Sequence, residues 1–267
     1  MSDSIPLFSV IIPTHNRSIL LERALLSVKA QSVNIAAEVI VVSDSCDLET
    51  DLICNKYLEK SDIFIRRNGT SGPAHSRNLG LKISSGQYIL FLDDDDAWHP
   101  GFLDLLSDAV IINPNQILYF NCSVVKESRF GGVPNFISES FLNLETSLNN
   151  YVYVKNQVHM SCFVFPKFLI KDILFDHYLR AYEDWDFQLA VFQRNFPIYI
   201  PIMGSKVFEV DDSSTDRRGS SEKATDLNAV FDYLYIYRRR PSPNDLIKNG
   251  RRELLLSVGI EIDVEML

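Results

Sequence analysis

The sequence is short of cysteine, of long apolar runs and of positive charge. Its 267 residues hold four cysteines, Cys46, Cys54, Cys122 and Cys162. None forms a C-x-x-C pair, which argues against a zinc ribbon. So few in a chain of this length read as free thiols in a reducing compartment. No apolar run approaches the length that spans a bilayer. The opening Met1-Ser-Asp-Ser-Ile-Pro6 has neither a basic region nor an apolar one, so it does not read as a signal peptide. Lysine and arginine number 26 against 35 acidic residues, a net charge of −9. Bulk electrostatics make such a chain a poor nucleic-acid binder, while leaving room for a local basic patch. No internal repeat or low-complexity segment is present. The expectation is a cytoplasmic protein, with peripheral contact at the inner face of a membrane left open.

What is present points to an α/β fold. Hydrophobic residues make up 46% of the chain, enough for a substantial core. Leu7 to Ile12 reads as a strand and ends at Pro13-Thr-His-Asn-Arg17. Leu21, Ala24, Leu25 and Val28 then recur at helical spacing. Glu38 to Val42 is a β-branched strand ending at Ser43-Asp-Ser-Cys-Asp47. A helix is expected over 48–60, a short strand over 63–65 and a helix from Pro73 to about Ile83. Tyr88 to Leu92 is a fully apolar strand that runs straight into Asp93-Asp-Asp-Asp96. Alternation of this kind predicts a Rossmann-like, doubly wound, mainly parallel sheet. The polar clusters at 13–17, 43–47 and 93–96 then share one sheet edge. Ligands of open α/β sheets bind outside the carboxyl ends of the strands. Four crowded carboxylates repel, and a hard divalent cation would relieve them. An EF-hand is a poor fit, because Trp98 stands where that loop needs glycine. The competing reading is an acid-rich polar turn.

The second half is less regular. Pro100 opens a helix through Leu103, Leu106 and Val110, and strands are expected at 117–120, 162–165 and 207–210. Residues 126–150 read as a long loop. Glu183-Asp-Trp-Asp186 leads into a helix, and 211–221 is a polar loop. Leu227, Val230, Phe231 and Leu234 mark an amphipathic helix that ends at Arg238-Arg-Arg240. A last helical stretch is interrupted by Gly250.

Six segments together resemble family 2 glycosyltransferases. They are Ser9-Val-Ile-Ile-Pro-Thr-His-Asn-Arg17, Ala30-Gln-Ser32, Val41-Val-Ser-Asp-Ser-Cys-Asp47, Gly72-Pro-Ala-His-Ser-Arg-Asn-Leu-Gly80, Phe91-Leu-Asp-Asp-Asp-Asp-Ala-Trp-His-Pro100 and Glu183-Asp-Trp-Asp-Phe187. Their order and spacing match the family over residues 9 to about 190. The resemblance implies a GT-A fold, a nucleoside-diphosphate sugar donor, expected to be UDP-linked, a divalent cation (Mn²⁺ or Mg²⁺) and inverting transfer. The implied acceptor is a glycan or lipid-linked glycan in surface polysaccharide assembly. The expected layout is a catalytic domain over 1–220 and a C-terminal helical extension over 221–267. Within the domain, 1–100 would bind the nucleotide sugar and 101–220 the acceptor.

The same resemblance implies the roles. Pro13, Thr14, His15, Asn16 and Arg17 would border the nucleotide, and Asp44 would accept a hydrogen bond from its base. Ser43 replaces an aspartate usual in the family. Arg77 would hold phosphate oxygens bidentately. Asp93 would face the ribose beside Asp94, and Asp95 would bind the cation, since side chains two apart on a strand point the same way. Asp184 would be the general base. Glu183 and Trp185 would meet the acceptor. Many relatives carry a metal-binding histidine after the last strand; here Glu209, Asp211 or Asp212 would substitute or water would fill the position, and Arg217 and Arg218 would form either a lid over the diphosphate or a solvated polar loop. The same-fold alternatives are a sugar nucleotidyltransferase and a noncatalytic nucleotide- or sugar-binding module.

Overall fold

The computed structural model describes residues 5–31, 35–179, 181–211 and 227–267. In order, the elements are β1 (Phe8–Thr14), α1 (Ser18–Lys29), β2 (Ala37–Ser43), α2 (Leu48–Tyr57), β3 (Ile63–Arg66), α3 (Pro73–Ile83), β4 (Tyr88–Phe91), β5 (Ala97–Trp98) and α4 (Phe102–Ile112). There follow β6 (Leu118–Ser128), β7 (Asn135–Leu142), β8 (Phe163–Pro166), α5 (Lys167–Ile170), α6 (Glu183–Phe192), β9 (Ile198–Val210), α7 (Leu227–Arg239) and α8 (Asp245–Ser257). Nine strands form one mixed sheet in the order β3-β2-β1-β4-β8-β6-β9-β5, with β7 paired to β6.

The first four large strands are parallel, as the alternating pattern predicts. All of β1 and β4 is buried, which fits the unbroken apolar run of β4 and the mainly apolar sequence of β1, whose Ser9 and Thr14 are hydrogen-bonded. Then β8 runs antiparallel to both β4 and β6, while β9 runs parallel to β6. This reversal places the start of β8 and the ends of β6 and β9 at the edge where β4 ends.

Three readings change. Residues 126–150 hold no long loop: β6 runs on to Ser128 and β7 returns beside it. Every residue of β7 except Glu139 is exposed, so it carries no apolar alternation to betray a strand. The last strand spans 198–210 rather than 207–210. Pro201 hides its beginning, and the ladder tolerates that proline at a register shift opposite Phe120 and Asn121. Gly250 does not interrupt α8; it lets the helix approach Val154, whose Cγ2 would stand 3.0 Å from an added Cβ.

The C-terminal helices are tied to the rest of the fold by buried charge. Asp186, fully buried in α6, takes a fork from Arg240 at 2.9 and 3.0 Å and a contact from Arg239 at 3.4 Å. Arg239 also meets Asp176. Two of the three arginines of the run 238–240 are therefore paired within the protein. Arg251 is completely buried and donates to the carbonyls of Tyr153, Arg240 and Leu267 at 2.8–3.0 Å. No helix among the described residues is long and apolar enough to cross a membrane. The expected boundary at 220, with Asp212, Arg217 and Arg218, lies outside the described residues, as does Ser32.

Gly204 sits where β9 crosses the ring of Phe120, and an added Cβ would stand 2.3 Å from two of its atoms. Gly204→Ala should lower unfolding free energy by about 1–3 kcal/mol, the usual cost of overpacking. An unchanged denaturant midpoint would contradict this packing.

Candidate active site

The four aspartates form a turn, not a strand. β4 stops at Phe91, and the Asp96 amide donates to the Asp93 carbonyl at 3.0 Å. A turn brings residues three apart together, so Asp93 converges with Asp96 rather than with Asp95. Asp96 accepts the Phe208 amide and the Ser161 hydroxyl, both at 3.1 Å. His159 lies over the turn, with Nδ1 3.5 Å from Asp96 and Nε2 3.9 Å from Asp93. Asp95 instead shares Oδ2 between Arg17 at 3.2 Å and Arg129 at 3.3 Å. Asp94 takes the Thr14 hydroxyl at 2.8 Å and Arg17 at 3.2 Å.

This turn floors a cleft of about 700 Å³. Its walls include Pro13, Arg17, Arg77, Lys126, Arg129, Tyr182 and Asp184. Two expected donor-side roles change. Asp44 already bonds His15 Nδ1 at 2.5 Å, the Gly72 amide at 2.6 Å and Arg67 at 3.1 Å. Its side chain is fully buried, so it braces the loops around it instead of offering an open acceptor to a base. The cap of α2 is Asp47. Asn16 adopts a left-handed conformation, φ 50°, in the turn after β1, and its amide lies 3.4 Å from the Ser45 hydroxyl. Arg77 is 4% exposed and divides its guanidinium between Asp93 at 2.6 Å and Glu183 at 2.7 Å. It links the acidic turn to α6 and is not an open phosphate clamp.

The position of α6 follows from aromatic packing. Phe187 stacks flat on Phe175 at 4.1 Å and meets Phe91 and Phe165 edge-on at 5.8 Å. Asn78 fastens the same segment through two 2.8 Å bonds to the Phe175 backbone. This docks the start of α6 against the end of β4. Glu183, Asp184 and Asp186 occupy its first turn, where the helix dipole favours carboxylates. Asp184 accepts the Trp185 amide at 2.7 Å and lies 3.4 Å from Asn156 Nδ2. Trp185 itself is 0% exposed and donates its indole N–H to the Val152 carbonyl. No face of it is open to an acceptor sugar, so that expected role is withdrawn.

The donor set fits a divalent cation. One ligand atom from each of Asp93, Asp96 and His159 lies within 4.8 Å of the others. Two carboxylate oxygens and an imidazole suit such an ion. Burial and the neighbouring Asp95 carboxylate push Asp94 up to about 7. Burial, then Asp95 and Asp93, push Asp96 up to about 7 against the pull of His159. Burial would raise Asp93, but Arg77 and His159 outweigh it and hold this carboxyl low. Burial would lower His159, but Asp96 and Asp93 outweigh it and raise this imidazole. Burial also raises Glu183 against Arg77.

Sequence reasoning missed His159, Asn156, Lys126 and Arg129. No motif marks them, but topology does. Any strand antiparallel to β4 must begin beside the end of β4, so the residues before β8 belong to the site. The tail of β6 arrives by the same logic.

Comparison with known proteins agrees with this architecture. The model of the family "Glycosyl transferase family 2" matches residues 9–174, and the chain belongs to that family. It is a glycosyltransferase. An uncharacterized glycosyltransferase of Haemophilus influenzae is 29% identical, over 85% of this chain and 76% of the relative. A Campylobacter jejuni protein named GalNAc(5)-diNAcBac-PP-undecaprenol beta-1,3-glucosyltransferase is 35% identical, over 46% of this chain and 40% of the relative. The Bacillus subtilis minor teichoic acid biosynthesis protein GgaB is 29% identical over 66% of this chain, which spans only 20% of that protein. Among solved structures, S. aureus TarS 1-349 in complex with UDP-GlcNAc superposes with a TM-score of 0.67 at 19% identity, over 93% of this chain and 71% of that one. At that identity the likeness speaks for the GT-A fold alone.

The raised groups predict a pH dependence. Between about pH 4 and 7 the unfolded chain sheds protons that folded Asp94 and Asp96 retain, and the raised Glu183 and His159 act in the same sense above their own ordinary values, so stability falls as pH rises. Asp93 acts oppositely, but below this window. The melting temperature should therefore be higher at pH 5 than at pH 8 by a few degrees, since about 1 kcal/mol moves it roughly 2–4 °C at this size. Mn²⁺ should raise it more at pH 8 than at pH 5. A metal-free melting temperature that rises toward pH 8 would contradict the account.

Proposed function

We propose that the protein transfers a sugar, with inversion, from a UDP-linked donor to a hydroxyl of a glycan or lipid-linked glycan in the assembly of a surface polysaccharide. The observation that carries this reading is the turn of Asp93 and Asp96 beneath His159, with the carboxylate of Asp184 on the wall of the same cleft. The UDP-GlcNAc bound by TarS supports a UDP-linked donor. The names of the Campylobacter and Bacillus relatives support a lipid-linked or wall-polymer acceptor.

Asp93, Asp96 and His159 would hold Mn²⁺ or Mg²⁺, with Asp95 beside them under Arg17 and Arg129. When bound, such a cation offsets the negative charge of the departing diphosphate. Pro13, Thr14 and Arg17 border the donor side, and Lys126 and Arg129 bring positive charge to the phosphates. Arg77 keeps Asp93 and Glu183 in place.

Asp184 would take the acceptor proton. The acceptor oxygen then bonds to the anomeric carbon while the bond from that carbon to the diphosphate oxygen breaks. A single displacement inverts the centre. The Trp185 amide and Asn156 aim the carboxylate, and Glu183 acts through Arg77 rather than on the acceptor directly.

Asp184→Asn should cut transfer by about 10²–10⁴-fold, the range of general-base catalysis, while UDP affinity in Mn²⁺ stays near that of the parent. Transfer at the parental rate would remove the base. In calorimetric titration, Asp96→Asn and His159→Ala should weaken Mn²⁺-dependent UDP binding more than Asp95→Asn does. The reverse order would return the principal ligand role to Asp95.

A further inference from the structure

Tyr182 stands in a backbone conformation that side-chain-bearing residues rarely adopt. Its φ is 62° and its ψ 18°, in the left-handed region. Among the described residues only Asn16 is a second non-glycine with positive φ, and it serves the loop after β1. Such strain persists where the surroundings over-determine it, and it concentrates at functional sites. The surroundings of Tyr182 come from the C-terminal helices. Its ring meets Tyr233 of α7 at 4.9 Å. Asp232, also on α7, accepts the Ala181 amide at 2.9 Å. Arg240, just beyond α7, holds Asp186 one helical turn further on. The turn at 181–182 is thus gripped from behind while its front lines the cleft, two residues from Asp184.

The cleft also contains Phe208, but the guanidinium of Arg23 lies 3.5 Å from its ring centre and covers one face. Trp185 is sealed in the core. The half-buried Tyr182, whose ring packs on Tyr233 and Trp185, lines the cleft beside Asp184, and among the described residues no cation lies over it.

We infer that Tyr182 is the platform on which the acceptor's terminal pyranose stacks, and that α7 sets its distance from Asp184. The C–H face of a pyranose suits an aromatic ring, and the sugar's edge hydroxyl would then point at the Asp184 carboxylate. On this view the C-terminal helices complete the acceptor site. The inference rests on the glycosyl-transfer reading.

The test uses the full chain with UDP and Mn²⁺. A panel of p-nitrophenyl pyranosides (gluco, galacto and their 2-acetamido forms) is titrated by saturation-transfer NMR. At least one should bind. Tyr182→Phe, which keeps the ring, should bind it as the parent does. Tyr182→Leu should weaken it about tenfold, the loss of one aromatic contact, with UDP affinity unchanged. Should Tyr182→Leu not fold, Tyr233→Leu removes the brace and should weaken the same pyranoside. Binding that ignores both leucine variants, or no binding by any pyranoside, overturns the inference. Failure of the parent to bind UDP overturns the glycosyl-transfer reading instead.

Discussion

Repulsion among the carboxylates of Asp93, Asp94, Asp95 and Asp96 is the constraint around which the site is built. Four consecutive acids at the end of a buried strand cannot all ionise there without compensation. Each has found its own. Asp93 takes Arg77, Asp94 takes Thr14 and Arg17, Asp95 takes Arg17 and Arg129, and Asp96 takes Ser161 with His159 nearby. These partners come from β1, α3, the end of β6 and the approach to β8. The acidic turn therefore gathers most of the strand-end loops onto itself, and it does so before any substrate arrives.

The same logic extends to α6. Arg77 serves Asp93 with one nitrogen and Glu183 with the other, so the acidic turn and the helix bearing Asp184 share one cation. Behind that helix, Asp186 is anchored by Arg240 and Arg239. Removing one member of such a buried pair strands a charge, which costs about 3–5 kcal/mol. The line Asp93–Arg77–Glu183 on one side of the helix start and the Asp186–Arg240 pair on the other fix where Asp184 sits. The start of α6 and the packing of α7 are thus set by two ion-pair groups joined through one helix.

Much of the donor half was legible in the sequence. Strands buried on both faces and helices with one apolar stripe leave strong periodic signals, and strand C-termini then had to share an edge. The acidic run, Asp184 and the helix behind it were found this way or through the family resemblance. What misled was a rule applied one residue too far. Side chains alternate only while the strand lasts; past Phe91 the chain turns, and the pairing becomes Asp93 with Asp96. Trp185 was given an open face and Arg77 a free guanidinium from the motifs around them, yet burial and pairing of a side chain depend on packing across the fold that local sequence does not encode. His159 was invisible for a related reason: its only link to the site is the antiparallel direction of β8.

The central claim is that the acidic turn and His159 form one cation site. Anomalous diffraction from crystals grown with UDP and Mn²⁺ tests it directly. The account predicts a manganese peak bonded by Asp93, Asp96 and His159. A peak held by Asp95 without His159 and Asp96, or UDP bound with no peak at this turn, would contradict it.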